Sequence, residues 1–455
     1  MKKIYIAALP LLFWACHPRA GLKPAADGGV QLAAGLASEP AFDLAHDPAS
    51  GRSFFLWSQV ARSTASAVTL EAVAPDGTLP WSTGFGPGEP RQFEGRVAVS
   101  SGAVYAFWIE PAGAGYALSA ASFDAAGKAL LPRTGVSGID SLVVNSLSVA
   151  AGRGGVVYAA WQDYSAAFNV PFVRIAEVGP DGVRWIKTLG GADPDESYLN
   201  PVIADAGASG VLAAFRHLHH GDQGIVVRRF NPDGTSWADD SRVSDAVGYK
   251  SAPQMVHDGA GGAYVIWEDG RRGDLDIYAQ HLGADGARLW DTAGLPLAVS
   301  AGNQWNPRIA ADGTGGFFCG WLDDNEGAKW IFRAQHVDNA GDRLWGENGL
   351  KACDSENNQS LPSLAADGAG GVLLAWNEDR GGYFGVYAQR FTWRGQAMWP
   401  AGAMTVAESD RDAVGPQVEP DGKGGLLAGW KQKLSSRRWE LRAQRLDSAG
   451  ARLWR

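Results

Sequence analysis

The fold is decided by residues 251–290, SAPQMVHDGAGGAYVIWEDGRRGDLDIYAQHLGADGARLW, and by residues 306–345, NPRIAADGTGGFFCGWLDDNEGAKWIFRAQHVDNAGDRLW. Both stretches carry the same landmarks in the same order. These are a short segment after proline, an Asp-containing glycine turn, an apolar run that ends in Trp, an Ala-Gln pair and a closing Leu-Trp. Self-similarity at a fixed period of about 50 residues is the signature of a repeat architecture, so further copies are expected on both sides.

Tryptophan marks eight copies of this repeat. The first Trp of each copy stands at Trp57, Trp108, Trp161, Trp267, Trp321, Trp376 and Trp430, and Phe215 occupies the remaining place. A second series runs through Trp81, Leu131, Trp185, Trp237, Trp290, Trp345, Trp399 and Trp454. The two series contain 14 of the 19 tryptophans, which is far more regular than composition alone would produce.

Each copy has the pattern of four short strands. In the copy around Trp321, a strand at 307–310 leads through a glycine turn at 312–316 into the apolar run 317–321, which has the length of a buried strand. Glycines supply the positive φ that such turns need. A third strand ends in Ala-Gln, and we expect the last strand to carry the second Trp. Eight such copies predict an all-β, eight-bladed β-propeller built from four-stranded antiparallel blades.

The two ends of the chain predict how the ring closes. Copies five and six continue past the second Trp into a Gly-apolar segment, at 294–297 and 349–352, but the sequence stops one residue after Trp454. An isolated segment of the same kind stands at 29–32. We expect this N-terminal strand to complete the last blade, which also removes an exposed sheet edge. Seven blades with a separate domain are the alternative, because the first four copies diverge most.

The N-terminus has the composition of an export signal. Lys2 and Lys3 precede an apolar run of 12 residues at 4–15, which is too short to span a bilayer. The Phe-Trp-Ala-Cys sequence ending at Cys16 resembles a bacterial lipobox, and this resemblance implies that Cys16 is acylated after removal of residues 1–15. Cleavage by ordinary signal peptidase is the alternative. Residues 16–27 are then a linker, and residues 28–455 form a single propeller domain.

The repeat landmarks also resemble a known group of proteins. Gly-Gly-apolar-Trp, Tyr-Ala-Gln and Gly-x-x-Leu-Trp are similar to the repeats of secreted bacterial β-propellers, and the likeness covers residues 28–455. More distantly, the chain resembles quinoprotein-type eight-bladed propellers and the lipid-anchored scaffold of outer-membrane protein assembly. The resemblance implies a fold and a place in the cell envelope. It implies no particular activity, because propellers carry many functions.

Composition and motifs exclude several classes of function. The chain has 40 Lys and Arg against 49 Asp and Glu, a formal net charge of −9, so it offers no basic stripe for nucleic acid. Three cysteines cannot form a disulfide framework, and we predict that Cys319 and Cys353 stay unpaired. The sequence contains no phosphate-binding glycine loop, no Gly-x-Ser-x-Gly elbow and no Cys-x-x-Cys pair, so no cofactor is predicted.

Candidate binding residues lie in the loops after the first Trp and in the loops between copies. We expect these loops on one face of the propeller, here called the variable face because its sequences differ between copies. Asp163, Asp269 and Asp323 stand there, and we predict that they bind a ligand. Acids around a channel mouth are also suited to glycoside hydrolysis. Because the acids recur at equivalent places and Arg271 follows one of them, a structural Asp–Arg brace is the alternative.

Two further features stand out on this face. The fourth copy contains three histidines within four residues, His217, His219 and His220, with Asp222 nearby, and these are candidate ligands for zinc or another transition metal. A solvated polar loop is the alternative. Among the tryptophans outside the two series, we expect Trp305 to lie in an inter-blade loop, where it is the best single candidate for stacking on a sugar.

These features together predict a non-catalytic lipoprotein of the bacterial envelope. We expect a monomer, anchored in the outer membrane because His17 follows Cys16 in place of the Asp that marks inner-membrane retention. A secreted soluble or periplasmic protein is the alternative location. The propeller is expected to bind or scaffold an envelope protein or a glycan. The alternative function is a carbohydrate-active enzyme, a glycoside hydrolase or lyase, which requires two carboxylates from different blades to meet at the channel.

Overall fold

The structure is a computed structural model that describes residues 29–58, 68–85, 95–112, 115–139, 147–165, 167–237, 240–324 and 329–454. The described chain forms eight four-stranded antiparallel sheets and one short 3-10 turn, Gly207–Ser209. Cys16 and the predicted export signal lie outside the described residues.

Each sheet is one blade, with its strands ordered from the innermost outwards. Blades 1 to 4 are β2 (Ala41–Asp47), β3 (Arg52–Ser58), β4 (Val68–Val73), β5 (Trp81–Phe85); β6 (Gly95–Ser100), β7 (Ala103–Ala112), β8 (Gly115–Phe123), β9 (Ala129–Ile139); β10 (Ser148–Ala151), β11 (Val157–Tyr164), β12 (Pro171–Gly179), β13 (Gly182–Leu189); β14 (Glu196–Asp205), β15 (Val211–His219), β16 (Asp222–Phe230), β17 (Ser241–Arg242). Blades 5 to 8 are β18 (Lys250–His257), β19 (Ala263–Asp269), β20 (Asp276–Leu282), β21 (Leu295–Ala298); β22 (Gln304–Ala311), β23 (Phe317–Asp323), β24 (Ile331–Val337), β25 (Leu350–Lys351); β26 (Gln359–Ala366), β27 (Gly371–Asp379), β28 (Phe384–Thr392), β29 (Met404–Ala407); β30 (Ala413–Pro420), β31 (Leu426–Ser435), β32 (Arg438–Leu446), β1 (Val30–Leu36).

The eight blades form a closed ring. The first strand of each blade contacts the first strands of both neighbouring blades, and the circle returns from β30 to β2. β1 pairs antiparallel with β32, from Val30 opposite Ala443 to Leu36 opposite Trp439, so the N-terminal strand supplies the outer strand of blade 8. The predictions of eight blades and of closure by residues 29–32 are therefore confirmed, and the seven-blade alternative is wrong.

The first Trp of each copy packs between blades. Trp267 of blade 5 is fully buried beside Ala214 and Val227 of blade 4, and Trp321 of blade 6 lies in one cluster with Ile266 of blade 5. An indole buries a large apolar area, so the first Trp seals a blade to the one before it, and Phe215 takes this place in blade 4. This packing explains the first tryptophan series.

A side-chain acceptor explains the regular turn between the first and second strands of blades 5 to 8. In blade 6, Asp312 Oδ1 accepts the backbone N–H groups of Thr314 and Gly316, at 2.7 and 2.9 Å. The same Asp bonds through Oδ2 to His336 Nε2 at 2.9 Å, which ties the turn to the third strand. Equivalent aspartates cap the turns of blades 5, 7 and 8. The face formed by these turns is here called the turn face.

The Ala-Gln landmark binds the chain around the second Trp. In blade 5, Gln280 Oε1 accepts the N–H of Trp290 at 3.1 Å, and its Nε2 donates to the carbonyl of Asp291 at 2.8 Å. These bonds occupy the backbone at this point, so the fourth strand, β21, begins only at Leu295. The expectation that the last strand carries the second Trp is wrong for blades 4 to 7, where the strand follows it, and for blade 8, whose outer strand is β1.

Cys319 and Cys353 are both buried and unpaired, which confirms that prediction. Burial raises the pKa of the Cys353 thiol to about 11.

Candidate functional site

The variable face carries the loops that join second to third strands and the loops that join blades. Both sets lie at the end of the ring opposite the turn face, because each innermost strand runs into a glycine turn and each second strand runs out of it. The sequence prediction placed Asp163, Asp269, Asp323, Trp305 and the histidines there.

Asp269 closes a brace in blade 5. Its side chain is fully buried. Oδ2 accepts the indole N–H of Trp267 at 2.8 Å, and the Arg271 guanidinium lies against both oxygens, with Nε 2.8 Å from Oδ1. The guanidinium also stacks on the Tyr278 ring at 3.9 Å. Burial opposes ionisation, but the donors from Arg271 and Trp267 outweigh it and hold the pKa of Asp269 below its usual value. The predicted Asp–Arg brace is confirmed.

The other two acids named from the sequence are also buried. Asp323 lies 3.0 Å from Arg333 Nε, and Asp163 accepts the N–H of Tyr164 at 2.8 Å and lies 3.7 Å from Arg174. The structure therefore leaves these three acids in three separate blades, each with partners inside or beside its own blade. Ligand binding by them stays a prediction, and their contacts favour the structural role.

Trp305 lies in a strand, whereas we expected an inter-blade loop. It is the second residue of β22, because the chain already pairs with β23 at Gln304 and Trp305 stands opposite Leu322. Its half-buried ring meets Trp330 edge to face, with centroids 5.8 Å apart and planes at 88°. Trp330 is 44% exposed, and its backbone is fixed by bonds to Asn358, just before β26, and to Gln359, the first residue of β26. Two indoles at right angles thus form an open corner.

Exposed aromatic side chains are concentrated on the variable face. Among the described residues, five Phe, Tyr and Trp side chains are classed as exposed. Four of them lie on this face, Phe168, Tyr249, Trp330 and Phe384, and one, Trp393, lies on the turn face. Aromatic rings left in water are costly unless they serve contacts, and Trp and Tyr are enriched in binding interfaces.

The histidines of blade 4 meet acids from the start of β14 and from the connection before it. His217 Nε2 lies 2.9 Å from Glu196, His219 Nε2 lies 3.7 Å from Asp193, and His220 Nδ1 lies 3.6 Å from Asp195. The prediction also placed Asp222 near the histidines, but in the structure its carboxylate forms a bidentate pair with Arg242. The distant acid that the sequence could not identify is Asp193, about 25 residues upstream.

The channel wall holds two carboxylates that the sequence analysis missed. In each blade, one residue of the innermost strand pairs with the residue just before the first Trp or, in blade 4, just before Phe215. These residues form a layer around the channel, here called the polar layer, and the exception is Val202 in blade 4. The polar members are Asp43, Arg96, Ser148, Gln254, Arg308, Ser363 and Gln417. Asp43 accepts the N–H of Val97 in blade 2 at 2.8 Å. Burial raises the pKa of Asp43, and Arg96 offsets part of that rise.

Glu419 stands one step further along the channel. At this register the other blades have six alanines and Val256, so Glu419 is the only ionisable residue of its layer. No described group donates a hydrogen bond to it. Burial and the nearby Asp43 raise its pKa to about 8. The signal that could have found it is the alignment of VEPDG at 418–422 with the LAADG of blade 7.

Side chains of the polar layer also join neighbouring blades. Ser148 Oγ accepts the N–H of Ile203 at 3.2 Å, and Gln417 Nε2 donates to the carbonyl of Phe42 at 2.9 Å. Neighbouring blades are therefore joined by polar hydrogen bonds at the channel wall and by packed indoles further out.

A recess of about 450 Å³ opens on the turn face between blades 4, 5 and 6. Asp205 and His257 line it together with the glycine turn of blade 6. Burial raises the pKa of Asp205.

Within the described residues, no helix is both long enough and apolar enough to cross a membrane. 

The fold defines the class of the protein as an eight-bladed β-propeller. No protein family matches the sequence, and no curated protein matches it. Solved structures with a similar backbone include the α-L-arabinanase of Penicillium chrysogenum complexed with arabinobiose, with 12% identity, a TM-score of 0.40, and coverage of 69% of this chain and 98% of that one. 

Two further similar structures come from peptidases. Prolyl oligopeptidase B of Galerina marginata has 9% identity and a TM-score of 0.48 over 91% of this chain and 56% of that one. The β-propeller domain of the Trilobed protease of Pyrococcus furiosus has 9% identity and a TM-score of 0.44 over 79% of this chain and 96% of that one. At such identities the likeness concerns the fold and assigns no activity.

Proposed function

We propose that the chain is a binding protein that recognises a glycan or a protein of the bacterial envelope through its variable face. The observation that carries this proposal is the Trp305–Trp330 corner, in which one ring is half-buried and the other is exposed. The Trp305 ring is fixed by packing, and the Trp330 ring rests edge to face against it on a backbone bonded to Asn358 and Gln359, so little side-chain freedom is lost when a ligand stacks there.

The proposal predicts that Trp330 is the most important single contact. Trp330→Ala is expected to weaken binding at least tenfold, because a stacked aromatic anchor dominates a small contact surface. Binding is measured with a glycan array and with capture from envelope extracts, using the full chain. Trp393→Ala is the matched control, since Trp393 is 51% exposed on the opposite face. Equal binding by wild type and Trp330→Ala, or equal loss in Trp393→Ala, would contradict the proposal.

We also propose that the protein is exported and anchored in the outer membrane through acylated Cys16. The support is the lipobox-like sequence that ends at Cys16. Metabolic labelling with an alkyne fatty acid should mark the wild-type chain, and Cys16→Ser should be unlabelled and should leave the membrane fraction. A labelled Cys16→Ser protein would remove this proposal.

A second candidate function is favoured by the channel pair Asp43 and Glu419. A carbohydrate-active enzyme needs one carboxyl group that is protonated and one that is ionised near neutral pH. Glu419, with a pKa raised to about 8, suits the acid. Burial also raises the pKa of Asp43, but the Arg96 charge and the Val97 N–H oppose that rise, which favours Asp43 over Glu419 as the base or nucleophile. The pair comes from two adjacent blades, 8 and 1.

The test of this second candidate is hydrolysis of a panel of polysaccharides. Glu419→Gln and Asp43→Asn should each abolish any activity found, and the exposed Glu356→Gln should keep it. Activity that survives both channel substitutions, or a panel without hydrolysis, would end this candidate and leave the binding function in place.

A further inference from the structure

Blade 4 departs from blade 5 at two positions near the end of the second strand, and the departures remove a structural hydrogen bond. In blade 5 the residue two places after the first Trp, Asp269, accepts the indole N–H of Trp267. In blade 4, Phe215 replaces the Trp and offers no N–H, and His217 replaces the acid. The end of the second strand in blade 4 therefore needs no carboxylate to accept a buried indole N–H.

The chain at this point turns so that adjacent histidines face one another. Neighbouring residues of an extended strand point to opposite sides. His220 follows the end of β15 with a φ of 48°, and this left-handed backbone brings its ring within 4.1 Å of the ring of His219, centroid to centroid. The hairpin presents both imidazoles on the variable face.

A carboxylate from a different element completes the group. Asp193 lies in the connection between β13 and β14, and one ligand atom from each of Asp193, His219 and His220 lies within 4.8 Å of the other two. Donor atoms at about 2.0–2.2 Å around a tetrahedral Zn²⁺ stand roughly 3.4 Å apart. Small rotations of three partly exposed side chains are enough to close that difference.

The surroundings resemble those of a supported metal site. Glu196 accepts from the Tyr198 hydroxyl at 3.2 Å and contacts His217 at 2.9 Å, which fixes the strand that precedes the histidines. Asp195 lies 3.6 Å from His220 Nδ1, where a carboxylate can hold and orient an imidazole.

We propose that Asp193, His219 and His220 bind one divalent transition-metal ion of the Zn²⁺ type on the variable face. Two imidazoles and one carboxylate match the ligand preferences of zinc, and three protein ligands leave a coordination position for water or for a group of a bound partner. The ion would join the hairpin of blade 4 to the connection from blade 3. This inference does not depend on the Trp305–Trp330 corner.

Calorimetric titration of the EDTA-treated full chain with ZnCl₂ tests the proposal. We expect binding of one ion per chain, with at least a tenfold loss of affinity in His219→Ala, His220→Ala and Asp193→Asn. His257→Ala, on the turn face, is the matched control and should bind like wild type. Because His219 and His220 are 41% and 65% exposed, their removal should not disturb folding, which circular dichroism checks.

Cobalt gives an independent readout. Co²⁺ bound to these ligands should produce visible d–d absorption that excess Zn²⁺ removes and that is lost in His219→Ala. Absence of Zn²⁺ binding to the wild type, or unchanged affinity in all three ligand variants, would overturn the proposal. Loss of binding only on His17→Ala would assign the ion to the N-terminus and would overturn it as well.

Discussion

Blades 4 and 5 are adjacent and have the same four strands, yet they use the end of the second strand for different purposes. In blade 5, Trp267, Asp269 and Arg271 form one unit, in which the Asp269 carboxylate accepts from the indole N–H and from two guanidinium nitrogens. In blade 4, Phe215 replaces the Trp and removes the donor. His217 contacts Glu196 at the start of β14, and the two histidines after it lie near acids of the preceding connection. The loss of one N–H thus goes together with a different set of partners at the end of the second strand.

The largest expected effect is the removal of the carboxylate in blade 5. Asp269→Ala leaves the Trp267 N–H and the Arg271 guanidinium without their acceptor inside the protein, and it should lower the free energy of unfolding by about 3–5 kcal/mol. His217→Ala should cost about 1 kcal/mol, the usual value of one partly exposed hydrogen bond. Denaturant titration of both variants measures the contrast. Similar losses of unfolding free energy in Asp269→Ala and His217→Ala would contradict the view that only the blade 5 residue is essential to the core.

The next effect concerns the indole itself. Trp267→Phe should lower the free energy of unfolding by about 1–3 kcal/mol, because a buried hydrogen bond to a charged group is lost. In the Trp267→Phe background, Asp269→Ala should lower the free energy of unfolding by less than in the wild type, since the bond from the indole N–H is already absent. A double-mutant cycle gives the coupling energy, and strictly additive losses would show that the two groups act independently.

The repeat could be predicted from sequence because its causes are local and recurrent. The capping Asp312, the Gln280 amide and the inter-blade Trp321 each act within a few residues or at a fixed period, so each leaves a visible pattern. The site could not be predicted to the same degree. Asp193 reaches His219 only through the turn between β13 and β14, and Trp330 meets Trp305 only once the innermost strand is in register.

The pKa values of Asp269 and Glu419 are shifted in opposite directions, and the pH dependence of stability therefore provides a third test. The pKa of Asp269 is lowered, so its contribution to stability is present above its unfolded pKa and is lost as the pH falls through its folded value. The pKa of Glu419 is raised to about 8, so the folded state holds a proton that the unfolded state loses near pH 4.5, and stability falls as the pH rises between the two values.

Glu419→Gln removes the second of these effects. The variant should have a melting temperature a few degrees above wild type at pH 9 and equal to it at pH 4, because glutamine mimics the protonated acid. Melting temperatures from pH 4 to 9 check this expectation. The same offset at every pH would mean that the amide acts through packing rather than through titration. Asp269→Asn should have the opposite profile, with its deficit largest at neutral pH and smaller in acid.

The smallest expected effect concerns Asp222, which lies on the same hairpin as His219 and His220. Asp222 stands opposite His219 in the β15–β16 pairing, but its carboxylate pairs with Arg242. That hydrogen bond lowers the pKa of Asp222, yet the side chain is 64% exposed, and an exposed ion pair contributes only about 0–1 kcal/mol. Asp222→Asn should therefore change the free energy of unfolding by less than about 1 kcal/mol and leave Zn²⁺ affinity within a factor of two or so, since the charge of Asp222 is already compensated. Unfolding and calorimetry on this one variant are sufficient. A tenfold loss of Zn²⁺ affinity would place Asp222, rather than Asp193, beside the histidines, and would show that blade 4 binds its ion within a single hairpin.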